Sequence, residues 1–224
     1  MIPWEVLDTA EVPGGGTLRL KRRGREFSIM LGATELMNSR LSGSEVALAT
    51  LVAERLGPRP HPAVLIGGLG MGFTLRAALD AFGAGARITV AELVPAVVAW
   101  AKGPMADLYQ GCLADPRVDV READVGALMR NARSAYDAIL LDVDNGPDGL
   151  TRPANDALYG VAGLAAARAA LRPGGRLAVW SSAPSPAFVR RLRKAGFAVE
   201  EVPVRANGAR GGARHVVWIA GRSG

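Results

Sequence analysis

The spacing of hydrophobic and polar residues changes along this chain, and each change predicts a different element. Between residues 17 and 31, apolar and polar residues alternate on both sides of a turn at Gly24, which predicts a β-hairpin. From Ser44, apolar residues recur at helical spacing until Gly57-Pro58 ends the pattern. We therefore predict a small N-terminal β-hairpin region over residues 1–43 and a larger domain over residues 44–224.

The larger region alternates short apolar runs with helical patterns. Strands are predicted at residues 63–67, 87–92, 118–122, 136–142, 176–181, 197–204 and 214–220, and helices at residues 73–81, 95–109, 125–133, 155–171 and 186–194. Continuous apolar strands are typical of parallel sheets covered by helices on both faces. The last two strands are joined by residues 206–213, a Gly-rich segment that predicts a mobile surface loop. The predicted fold class is a doubly wound α/β protein. Its seven-stranded, mostly parallel Rossmann-like sheet has an antiparallel strand near the C-terminus.

A glycine-rich turn lies between the first strand of this sheet and the helix that follows. Gly68, Gly70 and Gly72 form the pattern G-x-G-x-G, whereas a dinucleotide fingerprint requires G-x-G-x-x-G and would need a glycine at Phe73. Glycines let the backbone approach a ligand closely, and the helix start offers unpaired N–H groups. The spacing favours a nucleotide of the S-adenosylmethionine type, and a turn without a ligand is the alternative.

Acidic residues follow the next strands at the same edge of the predicted sheet. Glu92 ends the second strand, where a carboxylate can accept the hydroxyl protons of a ribose. Asp124 follows the third strand and is either a contact to an adenine or a helix N-cap, and both interpretations stay open. Asp142 and Asp144 follow the fourth strand with Asn145, where paired carboxylates suit a general base. An Asx-turn is the structural alternative for Asp144 and Asn145.

In this order the motifs resemble the spermidine synthase family, aminopropyltransferases on the class I S-adenosylmethionine-dependent methyltransferase fold. The resemblance implies that the glycine loop binds S-adenosylmethionine or its decarboxylated form. It implies that Glu92 holds the ribose, that Asp124 holds the adenine amine and that Asp142 takes a proton from the amine nucleophile.

The chain departs from that family at three places. Met71 stands where the glycine loop of the family has an acid, and Asn145 stands at the second Asp of the strand-four signature D-S-S-D-P. Gly43-Ser44-Glu45 replaces a Tyr-x-Glu segment, so that only Glu45 is retained. A diamine needs carboxylates for its two charges. We therefore rank methyl transfer to a small molecule above aminopropyl transfer to a polyamine, with Glu45 and Asn145 as substrate-binding candidates.

Composition and charge exclude several other classes of protein. Hydrophobic residues make up 49% of the chain and charged residues 21%, which excludes a disordered protein, and the single cysteine excludes a disulfide framework. The net charge of +6 comes mainly from dispersed arginines, so specific nucleic-acid binding is not expected. We expect a cytoplasmic enzyme, a homodimer without a metal or a membrane span, acting on a small-molecule acceptor. A non-catalytic nucleotide-binding homodimer and a nucleic-acid methyltransferase are the alternatives.

Overall fold

The computed structural model describes residues 2–143, 146–147 and 157–222. Its strands are β1 Glu5–Glu11, β2 Thr17–Arg23, β3 Glu26–Leu31, β4 Thr34–Asn38, β5 Ala63–Gly67, β6 Arg87–Glu92, β7 Val118–Glu122, β8 Tyr136–Leu141, β9 Leu171–Ser181, β10 Phe197–Arg205 and β11 Arg214–Arg222. Its helices are α1 Gly43–Leu56, α2 Phe73–Ala81, α3 Pro95–Lys102, α4 Ala106–Tyr109, α5 Val125–Arg130, α6 Val161–Ala170 and α7 Pro186–Lys194. No helix in these residues is long and apolar enough to cross a membrane.

The main sheet contains seven strands in the order β10-β11-β9-β8-β5-β6-β7. The strands from β9 to β7 run parallel to one another, whereas β11 pairs antiparallel with both β9 and β10. This arrangement confirms the predicted Rossmann-like fold class. The final two strands need no helix between them because antiparallel neighbours can be joined by a short connection.

Alternate residues of the central strands face opposite sides of the sheet. Val64, Ile66, Ile88 and Leu140 belong to the hydrophobic core that also contains residues of α1, α2 and α3. Leu65, Ile139, Leu177 and Val179 belong to the second core, with residues of α5, α6 and α7. Because both faces are covered, the strands are apolar throughout, which is why the sequence shows continuous runs rather than alternation.

A second sheet of four antiparallel strands, β1-β2-β3-β4, precedes the main sheet. The predicted hairpin is its central pair, and β1 and β4 flank it. Leu20 and Ile29 of this pair are fully buried and belong to the same core as α1 and α2. The small sheet therefore packs on the helical layer and carries β4 to the carboxyl edge of the main sheet, where Met37 approaches Gly70.

Several predicted boundaries are wrong for identifiable reasons. The helix predicted over residues 95–109 is broken into α3 and α4 at Gly103-Pro104, since proline has no N–H to donate and clashes with the preceding turn. Strand β9 begins at Leu171 rather than at residue 176. The helix predicted over residues 155–171 lies partly outside the described residues, and α6 accounts for residues 161–170.

The segment predicted as a mobile loop, residues 206–213, instead packs against the start of α1. Gly43 N donates to Ala206 O at 2.9 Å, and Ala206 is 1% exposed. A Cβ atom at Gly43 would lie 2.0 Å from Gly208 N, so only glycine fits beneath this turn. Gly43 is the position at which the resemblance to the spermidine synthase family implies a tyrosine.

Candidate functional site

The candidate site lies where the strand order reverses, between β5 and β8. The chain passes from β5 to β6 and β7 on one side and then returns to place β8 on the other side. The helix after β5 packs on one face of the sheet, whereas the described helix after β8, α6, packs on the opposite face. Connections that diverge in this way leave a crevice at the carboxyl ends of the strands, which is where ligands bind in open α/β sheets.

The glycine loop lies in this crevice with a left-handed backbone. The φ angles are +92° at Gly68, +52° at Gly70 and +78° at Gly72, a region that residues with a Cβ atom rarely adopt. A Cβ atom at Gly68 would lie 2.3 Å from Asp142 O, and one at Gly72 would lie 2.6 Å from the ring of Tyr109. At Gly70 the nearest atom would be Met37 Sδ at 3.2 Å. Close packing explains why glycine stands at positions 68 and 72, whereas Gly70 faces the space between the loop and β4.

Glu92 lies beneath the glycine loop with 8% of its surface exposed. Its Oε2 atom accepts a hydrogen bond from Leu69 N and its Oε1 atom accepts one from Val94 N, both at 2.9 Å. Burial raises the pKa of Glu92, and the backbone hydrogen bonds oppose that increase. The backbone N–H groups of Gly70 and Leu93 also act on this carboxyl group, so the side chain fixes the loop through its backbone.

The substitution Glu92→Ala should weaken nucleotide binding about tenfold to a hundredfold, because it removes at least one charge-assisted hydrogen bond of roughly 1.5–3 kcal/mol. It should also lower stability, since two buried N–H groups lose their acceptor. Calorimetric titration with methylthioadenosine, alongside thermal unfolding, measures both effects. Glu122→Ala, an exposed acid at the end of neighbouring β7, is the control. Unchanged affinity in the folded Glu92 variant would show that the ribose lies elsewhere.

Asp124 is the N-cap of α5. Its side chain accepts hydrogen bonds from Gly126 N at 2.8 Å and Ala127 N at 3.1 Å, and Arg130 Nη2 lies 3.2 Å away. The geometry therefore shows the capping interaction that the sequence left open. A contact between Asp124 and an adenine stays a prediction.

Glu45 and Asp142 line one small cavity beside the glycine loop. The cavity has a volume of about 60 Å³ and is lined by these two acids together with Leu36, Met37, Asn38, Leu69, Gly70, Met71, Phe73 and Trp180. Most of the lining residues are apolar, and Leu36, Met37 and Asn38 of β4 form part of its wall. Helix α1 contributes Glu45 from its first turn, and Asp142 follows β8, so residues almost a hundred positions apart meet here.

The two carboxyl groups have pKa values shifted upward by their surroundings. Burial and the charge of Asp142 raise the pKa of Glu45 to about 7. Burial raises the pKa of Asp142 to about 6, although a hydrogen bond from Thr74 Oγ1 to Asp142 Oδ2 at 2.6 Å opposes this. Near neutral pH the pair therefore holds a proton and can exchange it, which suits general acid–base chemistry.

The substitution Glu45→Gln should flatten the dependence of stability on pH. A raised pKa means that the folded state binds this proton more tightly than the unfolded state, so the stabilisation is present at low pH and is lost as pH rises through about 7. Because glutamine does not ionise, the variant should avoid a loss of about 1–3 kcal/mol between pH 5 and pH 8. Urea unfolding at both pH values measures this. Glu54→Gln, exposed on the same helix, should follow the wild type, and parallel curves for Glu45→Gln would contradict the prediction.

The other predicted site residues fall into two groups. Asp144 and Asn145 lie outside the described residues, so their predicted roles are neither supported nor opposed. Met71, at the position of the family's acid, is buried with 3% exposure and contributes only apolar surface to the cavity. In the described ranges, no group of three or more His, Cys, Asp or Glu side chains could hold a metal ion.

Sequence reasoning missed Thr74, whereas the positions of His215 and Trp180 at strand ends left open that they face the cleft. Thr74 Oγ1 donates to Asp142, and His215 Nδ1 lies 2.9 Å from the Oγ atom of Ser44, the residue before Glu45. The indole N–H of Trp180, which lines the cavity, has no hydrogen-bond partner among the described residues. None of these residues belongs to a motif with fixed spacing, although Trp180 lies near the carboxyl end of β9 at the same edge.

Comparison with known proteins supports the family resemblance. The polyamine aminopropyltransferase 1 of Streptomyces coelicolor is 35% identical over 153 residues, which cover 65% of this chain and 28% of that protein. A polyamine aminopropyltransferase of Mycobacterium tuberculosis is 34% identical over 122 residues, or 50% of this chain and 23% of the relative. The chain thus spans about a quarter of the length of the curated relatives it matches. No family model matches it.

Solved structures agree on the fold. The spermidine synthase from Thermotoga maritima superposes with a TM-score of 0.75 at 18% identity, covering 97% of this chain and 73% of that one. A spermidine synthase in complex with the transition-state analogue AdoDATO has a TM-score of 0.77 at 18% identity, covering 97% and 74%. At this identity the likeness concerns the fold alone. In sequence, therefore, this chain is similar to polyamine aminopropyltransferases, and its fold is similar to that of spermidine synthases.

Proposed function

We propose that this chain transfers an aminopropyl group from decarboxylated S-adenosylmethionine to a small-molecule amine. The sequence analysis ranked methyl transfer first, but the curated relatives are aminopropyltransferases and support the alternative that it ranked second. They share sequence over about half to two thirds of this chain. The proposal therefore needs support from the site itself.

The observation that carries the proposal is the pair of acids in one cavity beside the glycine loop. Glu45 and Asp142 face the same apolar space, where an ammonium ion would be drawn to carboxylates because little water competes. Their raised pKa values, about 7 and about 6, place proton exchange close to neutral pH. A site for methyl transfer to a neutral acceptor has no need of two acids.

The chemistry requires a neutral amine and an acceptor for its proton. When bound, the donor supplies a carbon attached to a positively charged sulfur, and the carbon–sulfur bond breaks, leaving its electron pair on sulfur, as the amine nitrogen bonds to that carbon. Asp142 accepts the proton that the nitrogen loses, and Thr74 holds the carboxylate in place through its hydrogen bond. Glu45 holds the amine beside Asp142 and shares the released proton.

The residues around the glycine loop fit the nucleoside part of such a donor. Gly70 leaves open the space toward Met37 that a side chain would fill, and Glu92 places a carboxyl group beneath the loop, where a ribose would lie. Met71 offers no charge to the amino group of the donor, so we expect weaker donor binding than an acid at this position would give. The small-molecule acceptor, the homodimer and the cytoplasmic location stay predictions from the sequence.

Product analysis tests the proposal directly. The protein is incubated with decarboxylated S-adenosylmethionine or with S-adenosylmethionine itself, each with a panel of monoamines and diamines, and the nucleoside products are separated by chromatography. We expect methylthioadenosine from the decarboxylated donor. S-adenosylhomocysteine instead would establish methyl transfer. Nucleotide binding without either product would indicate a non-catalytic protein.

A further inference from the structure

A chain of hydrogen bonds runs from Glu45 away from the cavity to His215. Ser44 Oγ donates to Glu45 Oε2 at 2.7 Å, and His215 Nδ1 lies 2.9 Å from the same Oγ atom. Ser44 has 0% of its surface exposed, whereas His215 is only partly buried. The three side chains therefore link the interior of the site to a group that reaches solvent.

The hydroxyl of Ser44 can pass a proton in either direction because it donates one hydrogen bond and accepts another. With Ser44 donating to Glu45, its oxygen accepts from an N–H at Nδ1 of His215. In the reverse arrangement, a protonated Glu45 donates to Ser44, and Ser44 donates to a bare Nδ1. The two arrangements differ by one proton moved between His215 and Glu45, and no heavy atom has to change position.

The proposed reaction produces one proton in each turnover inside a cavity that β4 partly lines. That proton passes to the carboxyl pair, and Asp142 must lose it before the next amine can be deprotonated. We infer that Ser44 and His215 are positioning residues that carry this proton from Glu45 to solvent, an inference that rests on the proposed function. His215 would accept the proton at Nδ1 and release one from Nε2, so that charge and atoms balance.

The surroundings of His215 favour release of the proton. Burial lowers the pKa of His215, so an imidazolium formed there is a stronger acid than usual. The ring meets Trp180 edge to face, with centroids 4.9 Å apart. Among the charged residues on the neighbouring elements, Arg214 precedes His215 on β11, Arg205 lies on β10, Arg210 lies in the turn Gly208–Arg210 and Glu45 lies on α1.

Kinetics of two variants test the path. His215→Asn keeps an amide near the position of Nδ1 that can still bond to Ser44 but does not titrate, and Ser44→Ala interrupts the chain. We expect kcat for methylthioadenosine formation to fall roughly tenfold to a hundredfold with little change in KM, less than the loss of the base itself. The rate of His215→Asn should then rise with imidazole buffer concentration, because buffer replaces the missing carrier. A purely structural role gives no such buffer dependence.

A second measurement does not depend on activity. The chain has two histidines, His61 and His215, so their imidazole resonances can be assigned with single variants and titrated by NMR. In the wild type the ring resonances of His215 should shift a second time near pH 7, where Glu45 ionises beside Ser44, and Glu45→Gln should remove that shift because the amide does not titrate. His61, exposed in the segment before β5, is the control, and His61→Asn should keep the wild-type rate.

The outcomes separate this inference from the proposed function. Turnover that slows in His215→Asn and recovers with buffer, together with the NMR shift, supports the path. Turnover that is unaffected by His215→Asn, or an unchanged titration of His215 in Glu45→Gln, overturns it. If the wild type forms no methylthioadenosine while the NMR shift is present, the proposed function fails, and the link between His215 and Glu45 stands without that role.

Discussion

Replacing Asp142 with asparagine should reduce aminopropyl transfer by about a hundredfold to ten-thousandfold, the range expected when a general base is lost. The amide oxygen of asparagine can still accept the hydrogen bond from Thr74, so the geometry of the loop should persist. The amide cannot take up the proton that the amine releases. The measurement is the steady-state rate of methylthioadenosine release across pH 6–9.

Two controls test whether a loss of rate in Asp142→Asn comes from the missing base. Asp80→Asn, an exposed acid on α2, should retain the wild-type rate. The Asp142 variant should be at least as stable as the wild type at pH 8, because burial opposes the charge at this position, so unfolding would not explain the loss. A rate within threefold of wild type would mean that another group accepts the proton.

The substitution Gly68→Ala should destabilise the protein by about 2–4 kcal/mol. The φ angle of +92° strains any residue with a Cβ atom, and that atom would lie 2.3 Å from Asp142 O, so the ends of β5 and β8 would have to separate. The effect should reach the site, because the displaced backbone carries Asp142. Urea unfolding gives the change in free energy, and product formation gives the change in rate.

Gly83→Ala provides a matched control. Its φ angle is +75°, yet no atom lies within 4 Å of the position of the added Cβ, so this variant reports backbone strain without a collision. We expect a loss of about 1 kcal/mol there and no effect on the rate. If both variants lost the same stability, close packing between the glycine loop and Asp142 would not be the reason for glycine at position 68.

The parts of the fold that sequence predicts are those fixed by burial on both faces of a sheet. Strands β5 and β6 appear with the predicted bounds because their apolar runs are buried in the sheet. Strand β7, at the edge of the sheet, also has the predicted bounds because its two valines alternate with exposed polar residues. Strand β1 was missed because its residues are mostly exposed, so no apolar pattern marks it. Strand β4, Thr34–Asn38, is short and is placed by pairing with β3 and by packing of Met37 near the glycine loop.

Some residues of the candidate site could likewise be predicted from the sequence, and others could not. Glycines and strand-end acids are visible in the sequence because their positions relative to the strands decide their use, and Glu45 and Asp142 do meet in one cavity. Thr74 and His215 reach the site across 68 and 171 positions of sequence, to Asp142 and to Ser44. No local spacing encodes such contacts, because they depend on how α2 and β11 pack against the crevice.

The turn Gly208–Arg210 packs directly against Gly43, although the two lie far apart in the sequence. The residue type at position 43 therefore depends on the path of this turn. The Cβ atom of any side chain at position 43 would lie 2.0 Å from the backbone nitrogen of Gly208. An aromatic residue can therefore occupy this position only if residues 206–212 take another path. Among natural sequences we therefore expect two combinations. Glycine at position 43 should occur with a segment 206–212 that packs against α1, and a bulky residue at position 43 should occur with a shorter or displaced segment. A chimaera in which only residue 43 or only residues 206–212 is exchanged would have either a steric clash or a cavity at this contact. Exchanging both together should restore close packing at the start of α1.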